Sequence, residues 1–72
     1  MSYTELLIDF GQKVKNERQK RKLTQKELGN ILGITHEWLC KIEKGRVPTI
    51  SLQLYHKISE KLNVKFTWSQ NL

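Results

Sequence analysis

The sequence lacks the covalent and metal-binding features that usually reinforce small proteins. It contains one cysteine, Cys40, in 72 residues, so neither an internal disulfide nor a cysteine-based metal site is available. A chain of this length buries only about 60% of the surface that it exposes when unfolded. We therefore expect a single domain over 1–72, of modest stability, for which oligomerisation is the remaining route to more buried area.

Long apolar runs are also missing. No stretch approaches the roughly 20 apolar residues that a membrane-spanning helix needs. Residues 1–9 lack the basic start and the long apolar core of a signal peptide. Together with the lone cysteine, these absences favour a protein of the reducing cytoplasm with no membrane partner.

Acidic residues are scarce relative to basic ones. Thirteen Lys and Arg residues stand against seven Asp and Glu, which gives a net charge of +6. The basic residues are densest between positions 13 and 26. Such a run is either a solvated helix face or a surface for a polyanion, and in the cytoplasm the polyanion is nucleic acid. Charge alone leaves both interpretations open.

The apolar spacing is helical over most of the chain. Phe10, Val14 and Arg18 share one stripe of the first helix. Thr24 and Glu27 have the spacing of a capping box, which is a strong start for the second helix. We expect helices over about 9–22, 24–33, 35–44 and 51–62.

The second helix is predicted to bury Leu28, Ile31 and Leu32. Gly29 lies beside Leu28, where the missing side chain either weakens the helix or lets another element approach closely. We favour close packing. Gly33 is predicted to end the helix in a left-handed conformation.

The third helix has two contrasting faces. Thr35 can cap it, while Trp38, Leu39 and Ile42 fall on one side and are expected to face the core. Gly45 ends it. The opposite, free side carries His36, Glu37, Cys40, Lys41 and Lys44.

The tail changes to a period of two. Val64, Phe66 and Trp68 alternate with polar residues, which predicts a β-strand over 64–69. Because a lone strand leaves its backbone groups unpaired, we expect it to pair across a dimer. The alternative is a tail whose aromatic side chains pack on the helices.

These patterns together resemble the Xre-type helix-turn-helix family, which includes phage Cro and repressor proteins. The resemblance covers about 10–62 and implies an all-α helix-turn-helix domain of four helices. The resemblance further implies a DNA-binding protein of the bacterial cytoplasm, associated with the nucleoid. The residues that carry the resemblance are Phe10, Val14, Arg18, Leu23-Thr24-Gln25, Leu28-Gly29, Leu32-Gly33-Ile34-Thr35, Leu39, Ile42-Glu43 and Gly45.

The resemblance also implies roles for individual residues. The third helix would be the recognition helix, and its base-contacting residues would be Thr35, His36, Glu37 and Lys41. Their side chains suit base edges: Lys41 can donate to guanine and Glu37 can accept from cytosine. The alternative for His36 and Glu37 is a solvated helix start, where Glu37 merely favours the positive end of the helix dipole.

Other matched positions imply contacts to the DNA backbone and a structural ion pair. Gln25, Lys44 and Arg46 would meet phosphates, which orient a protein without specifying sequence. Arg18 and Glu43 match a pair that forms an internal salt bridge, so we interpret Arg18 as structural rather than DNA-contacting.

The end of the chain is similar to HipB-type antitoxins, in which a strand after the four helices pairs across the dimer. This resemblance implies an autoregulating repressor that binds palindromic operator DNA as a homodimer and binds a HipA-like kinase toxin. Val64, Phe66 and Trp68 would then be dimerisation residues. Two alternatives remain: a stand-alone phage-type regulator or restriction-modification controller, and a protein-interaction module that does not bind DNA.

No catalytic constellation is present. Two separated histidines and one cysteine form neither a metal site nor a nucleophile with its base, and no glycine-rich phosphate loop occurs. We therefore expect a protein that is not an enzyme and needs no cofactor or metal.

Overall fold

The computed structural model describes residues 2–66. Within them no helix is both long and apolar enough to cross a membrane. The element order is α1 (Tyr3–Lys20), α2 (Gln25–Leu32), α3 (His36–Glu43) and α4 (Leu52–Leu62), in agreement with the four predicted helices.

Each helix begins behind a hydroxyl side chain that accepts a hydrogen bond from a backbone N–H of the first turn. These capping residues are Ser2, Thr24, Thr35 and Ser51. The predicted capping box is complete, because the Glu27 carboxylate accepts from the Thr24 backbone N–H at 2.8 Å. The cap at Ser2 explains why α1 starts six residues before the expected position.

The core lies where α1 and α2 pack against both α3 and α4. Its largest fully buried side chains are Phe10, Val14, Leu28, Leu32, Leu39, Ile42, Ile58 and Leu62.

One predicted core residue of α2 is on the surface. Ile31 is 48% exposed, whereas Leu28, Leu32 and Gly29 are buried. At 100° per residue, the buried face is centred between Leu28 and Gly29, which puts Ile31 more than a quarter turn away from it. Gly29 has no side chain and is not counted in an apolar pattern, yet it lies on the buried face of α2. The centre of that face therefore lies further from Ile31 than the apolar residues alone suggest.

The prediction of a strand is wrong for residues 64–66. Asn63 ends α4 in the left-handed conformation, with φ of 56°, and Val64 is then buried in the core. The ring of Phe66 lies 4.5 Å from that of Phe10 and 4.9 Å from that of Tyr55, measured between centroids. The Tyr55 hydroxyl accepts from the Phe66 backbone N–H at 3.3 Å, which removes a group that strand pairing would need. Trp68 lies outside the described residues.

The end of α3 presses on the backbone of α1 at a glycine that the sequence analysis did not single out. A Cβ atom on Gly11 would overlap the carbonyl oxygen of Ile42 and lie 2.9 Å from that of Glu43. Both obstacles are backbone atoms, which cannot turn aside as a flexible side chain can. Gly11 therefore sets the closest approach of α1 and α3.

Helix propensity and packing make opposite predictions for Gly11→Ala. Propensity alone would stabilise α1 by about 1 kcal/mol. The overlap with Ile42 should instead destabilise the domain by about 1–3 kcal/mol or more. Urea unfolding measures the sign directly. Gln19→Ala, at an exposed position of the same helix, should change the free energy of unfolding by less than about 0.5 kcal/mol, and an equally stable Gly11→Ala variant would contradict the contact.

Candidate nucleic-acid interface

The turn between α2 and α3 is held by backbone contacts. The Ile34 N–H donates to the Gly29 carbonyl at 2.9 Å, and a Cβ on Gly29 would lie 2.8 Å from the Ile34 carbonyl oxygen. Gly33 makes the turn with φ of 74°, a conformation that favours glycine. The geometry thus supports close packing at Gly29, and it fixes how α3 leaves α2.

The two faces of α3 are separated as the sequence predicts, with two refinements. Leu39 and Ile42 are buried, and Trp38 is half-buried against the core. Cys40 was expected on the free face but is half-buried. The exposed outer face consists of Thr35, His36, Glu37, Lys41 and Lys44.

The start of α3 brings three of the predicted base-contacting residues together. The Thr35 hydroxyl accepts from the Trp38 N–H at 3.1 Å, which leaves its own O–H free to donate outward. His36 Nδ1 lies 3.4 Å from Glu37 Oε1. Lys41 is one helical turn further along the same exposed face. These side chains offer both donors and acceptors over two turns of a single helix.

A buried ion pair joins α1 to the end of α3. Arg18 Nε donates to Glu43 Oε2 at 2.7 Å and Nη2 donates to Oε1 at 3.2 Å. The Glu43 side chain is only 2% exposed. Arg18 Nη1 also donates to the Leu23 carbonyl at 2.8 Å, an acceptor that side-chain patterns cannot reveal. This is the pair that the resemblance implies.

Gln25 belongs to the same network. Its Nε2 donates to Glu43 Oε1 at 3.1 Å, so the first residue of α2 braces the last residue of α3. Lys44 and Arg46 follow directly and are exposed. The Arg46 N–H donates to the Lys41 carbonyl at 2.9 Å, which holds this segment against the end of α3.

The remaining candidates lie apart from this surface. Val64 and Phe66 contact the core and the helices of their own chain. His56 is exposed on α4, with Nε2 3.6 Å from Glu60 Oε2. Among residues 2–66 no group of three potential metal ligands occurs.

The fold and the exposed outer face of α3 define a helix-turn-helix protein. Residues 14–69 match the family model described as helix-turn-helix. Because this match covers more than half of the chain, the chain belongs to that family. It is a DNA-binding transcriptional regulator and not an enzyme.

Two solved structures share the fold. The restriction-modification controller protein C.AhdI from Aeromonas hydrophila is similar with a TM-score of 0.77 and 23% identity, over 90% of this chain and 93% of that one. The clp gene regulator ClgR from Corynebacterium glutamicum is similar with a TM-score of 0.73 and 22% identity, over 83% of this chain and 63% of that one. No curated protein sequence gives a significant match.

Removal of Arg18 should unfold the domain rather than merely weaken a surface contact. Arg18→Ala leaves the Glu43 carboxylate buried without its partner, which costs about 3–5 kcal/mol. Urea unfolding of the variant should therefore show a large loss of stability even without DNA.

Arg21→Ala is the matched control on the same helix. Arg21 pairs with Glu17 at 2.8 Å, but its side chain is 40% exposed, so its loss should cost less than about 1 kcal/mol. Equal effects of the two substitutions would contradict the structural role of Arg18.

Proposed function

We propose that this chain is a sequence-specific repressor that binds palindromic operator DNA as a homodimer and acts without a toxin partner. The observation that carries the proposal is the outer face of α3, which is exposed along its length while its inner face is fixed to α1 and α2. A helix presented in this way has the dimensions to enter the major groove.

The proposed base contacts come from Thr35, His36, Glu37 and Lys41. Each base pair presents a distinct pattern of donors and acceptors in the major groove. The Lys41 ammonium suits guanine O6 and N7, and the Glu37 carboxylate suits the cytosine amino group. A carboxylate this near to phosphates is repelled unless it meets such a donor, so Glu37 also excludes sequences that lack a cytosine opposite it.

The proposed phosphate contacts come from Gln25, Lys44 and Arg46. Gln25 uses one amide hydrogen on Glu43 and retains a second for a phosphate oxygen. If Lys44, Arg46 and one further cation of each copy neutralise phosphates, a dimer should show a log–log salt slope near −5.

A homodimer would place its two recognition helices about 34–36 Å apart, on half-sites one helical turn apart. Val64, Phe66 and Trp68 remain the dimerisation residues predicted from sequence. Since Val64 and Phe66 face inward, their contribution would be indirect, by shaping the surface around α1 and α4.

The stand-alone regulator is favoured over the antitoxin by two observations. The similar structures are described as a controller protein and a gene regulator. The strand that suggested a HipB-type antitoxin is not formed in residues 64–66. Co-purification with a kinase-like protein from the native cell would reverse this preference.

The proposed function is tested by selecting bound duplexes from a random library and measuring their affinity against salt. A near-palindromic sequence should emerge, bound with a slope near −5, and sedimentation should give a dimer. Binding of all duplexes with equal affinity would rule out an operator-specific regulator. Binding of none at physiological salt would also rule it out and would favour a protein-interaction module.

Lys41→Ala and Lys44→Ala should behave differently on the selected operator. Loss of a base contact should relax preference at one position of each half-site by about 1–3 kcal/mol. Loss of a phosphate contact should weaken all duplexes alike and make the salt slope shallower. Competition assays with single-position operator variants separate the two results, and identical profiles would contradict the assigned roles.

A further inference from the structure

A groove runs between α1, the start of α2 and the end of α3. Its walls include Lys15 from α1 and Cys40, Lys44 and Arg46 from α3 and the segment after it. We call it the α1 groove. The phosphate contacts predicted from sequence included no residue of α1.

The other basic residues of α1 have acidic partners. Lys13 pairs with Asp9 at 3.2 Å. Lys20 and Arg21 pair with Glu17 at 3.0 and 2.8 Å. Hydrogen bonds from Arg21 and then Lys20 hold the pKa of Glu17 below its ordinary value, so this carboxylate stays ionised at neutral pH and offsets their charge.

Apart from Arg18, which pairs with Glu43, the cations of the α1 groove have no such partner within residues 2–66. Lys15, Lys44 and Arg46 are exposed, and none forms an ion pair with another residue in the range 2–66. The one carboxylate in the groove belongs to Glu43, and both of its oxygens are occupied by Arg18 and Gln25. The groove therefore has a neutral floor and three unpaired positive charges on its walls.

We propose that the α1 groove receives a phosphodiester of bound DNA and that Lys15 is a phosphate-contacting residue. The inference rests on the proposed function and extends its interface to α1. One wall of the groove belongs to the recognition helix itself. A duplex that holds this helix in its major groove has a phosphate backbone along the flank of the helix, and Lys15 and Lys44 both line the groove there.

Lys15→Gln on the selected operator tests the proposal, with Lys61→Gln as the matched control. Lys61 is exposed on α4 and does not line the groove, so both variants lose one charge per chain. Loss of one phosphate contact per chain should make the log–log salt slope of a dimer shallower by about 1.8. Lys61→Gln should leave the slope unchanged.

Three further readouts distinguish a phosphate contact from a structural effect. Lys15→Arg should restore the slope, and Lys15→Gln should keep the wild-type urea midpoint. The ratio of operator to random-duplex affinity should also stay unchanged, because phosphate contacts carry no sequence information.

The chain's single cysteine reports directly on the groove. Cys40 lines it, so saturating operator should slow alkylation of the wild-type thiol by iodoacetamide at least tenfold. Equal slopes for Lys15→Gln and Lys61→Gln, or an unprotected Cys40, with normal wild-type binding would overturn the groove proposal alone. Failure of the wild type to bind any duplex would overturn the proposed function and the groove proposal together.

Discussion

The buried pair of Arg18 and Glu43 is the interaction on which the geometry of this domain depends. Transferring two charges from water into a protein interior is costly, and the cost is recovered only with good geometry and satisfied remaining hydrogen bonds. Here the contact is bidentate. Gln25 donates a further hydrogen bond to the Glu43 carboxylate, and the Leu23 carbonyl accepts one from Arg18. The network therefore links α1, the entry to α2 and the last residue of α3 at one point. A short helix of eight residues is marginal by itself, so its C-terminal end owes its position to this link.

Close backbone contacts at two glycines also fix the position of α3. Gly11 lets the last carbonyl groups of α3 rest on the α1 backbone, and Gly29 lets α2 approach the Ile34 carbonyl. Hydrogen bonds and charges set which residues meet, whereas the glycines set how closely the backbones meet. Because both ends of α3 are held by short-range contacts, its outer face is presented in one orientation.

Much of the fold could be predicted because its signals are local. The spacing of Thr24 and Glu27, the left-handed turn at Gly33, and the apolar stripes each depend on a few neighbouring residues. The errors arose where tertiary contacts decide the outcome. Ile31 is exposed because Gly29 shifts the buried face, and Phe66 packs on Phe10 and Tyr55 although its alternation is that of a strand. That Lys15 forms no ion pair within residues 2–66 was also unpredictable, since it depends on which carboxylates reach the neighbouring cations.

The division of labour within α3 has a consequence for how such proteins diversify. Folding uses Leu39, Ile42, Glu43 and the capping oxygen of Thr35, whereas His36, Glu37 and Lys41 are exposed and contribute little to the core. Substitutions at these three positions can therefore accumulate at almost no thermodynamic cost. A duplicated copy of the gene could acquire a new target by changing a handful of codons while its scaffold stays untouched. Apart from Thr35, which caps the helix and is also a proposed base contact, stability and the proposed recognition are assigned to different residues of the same two helical turns, so each can change without the other.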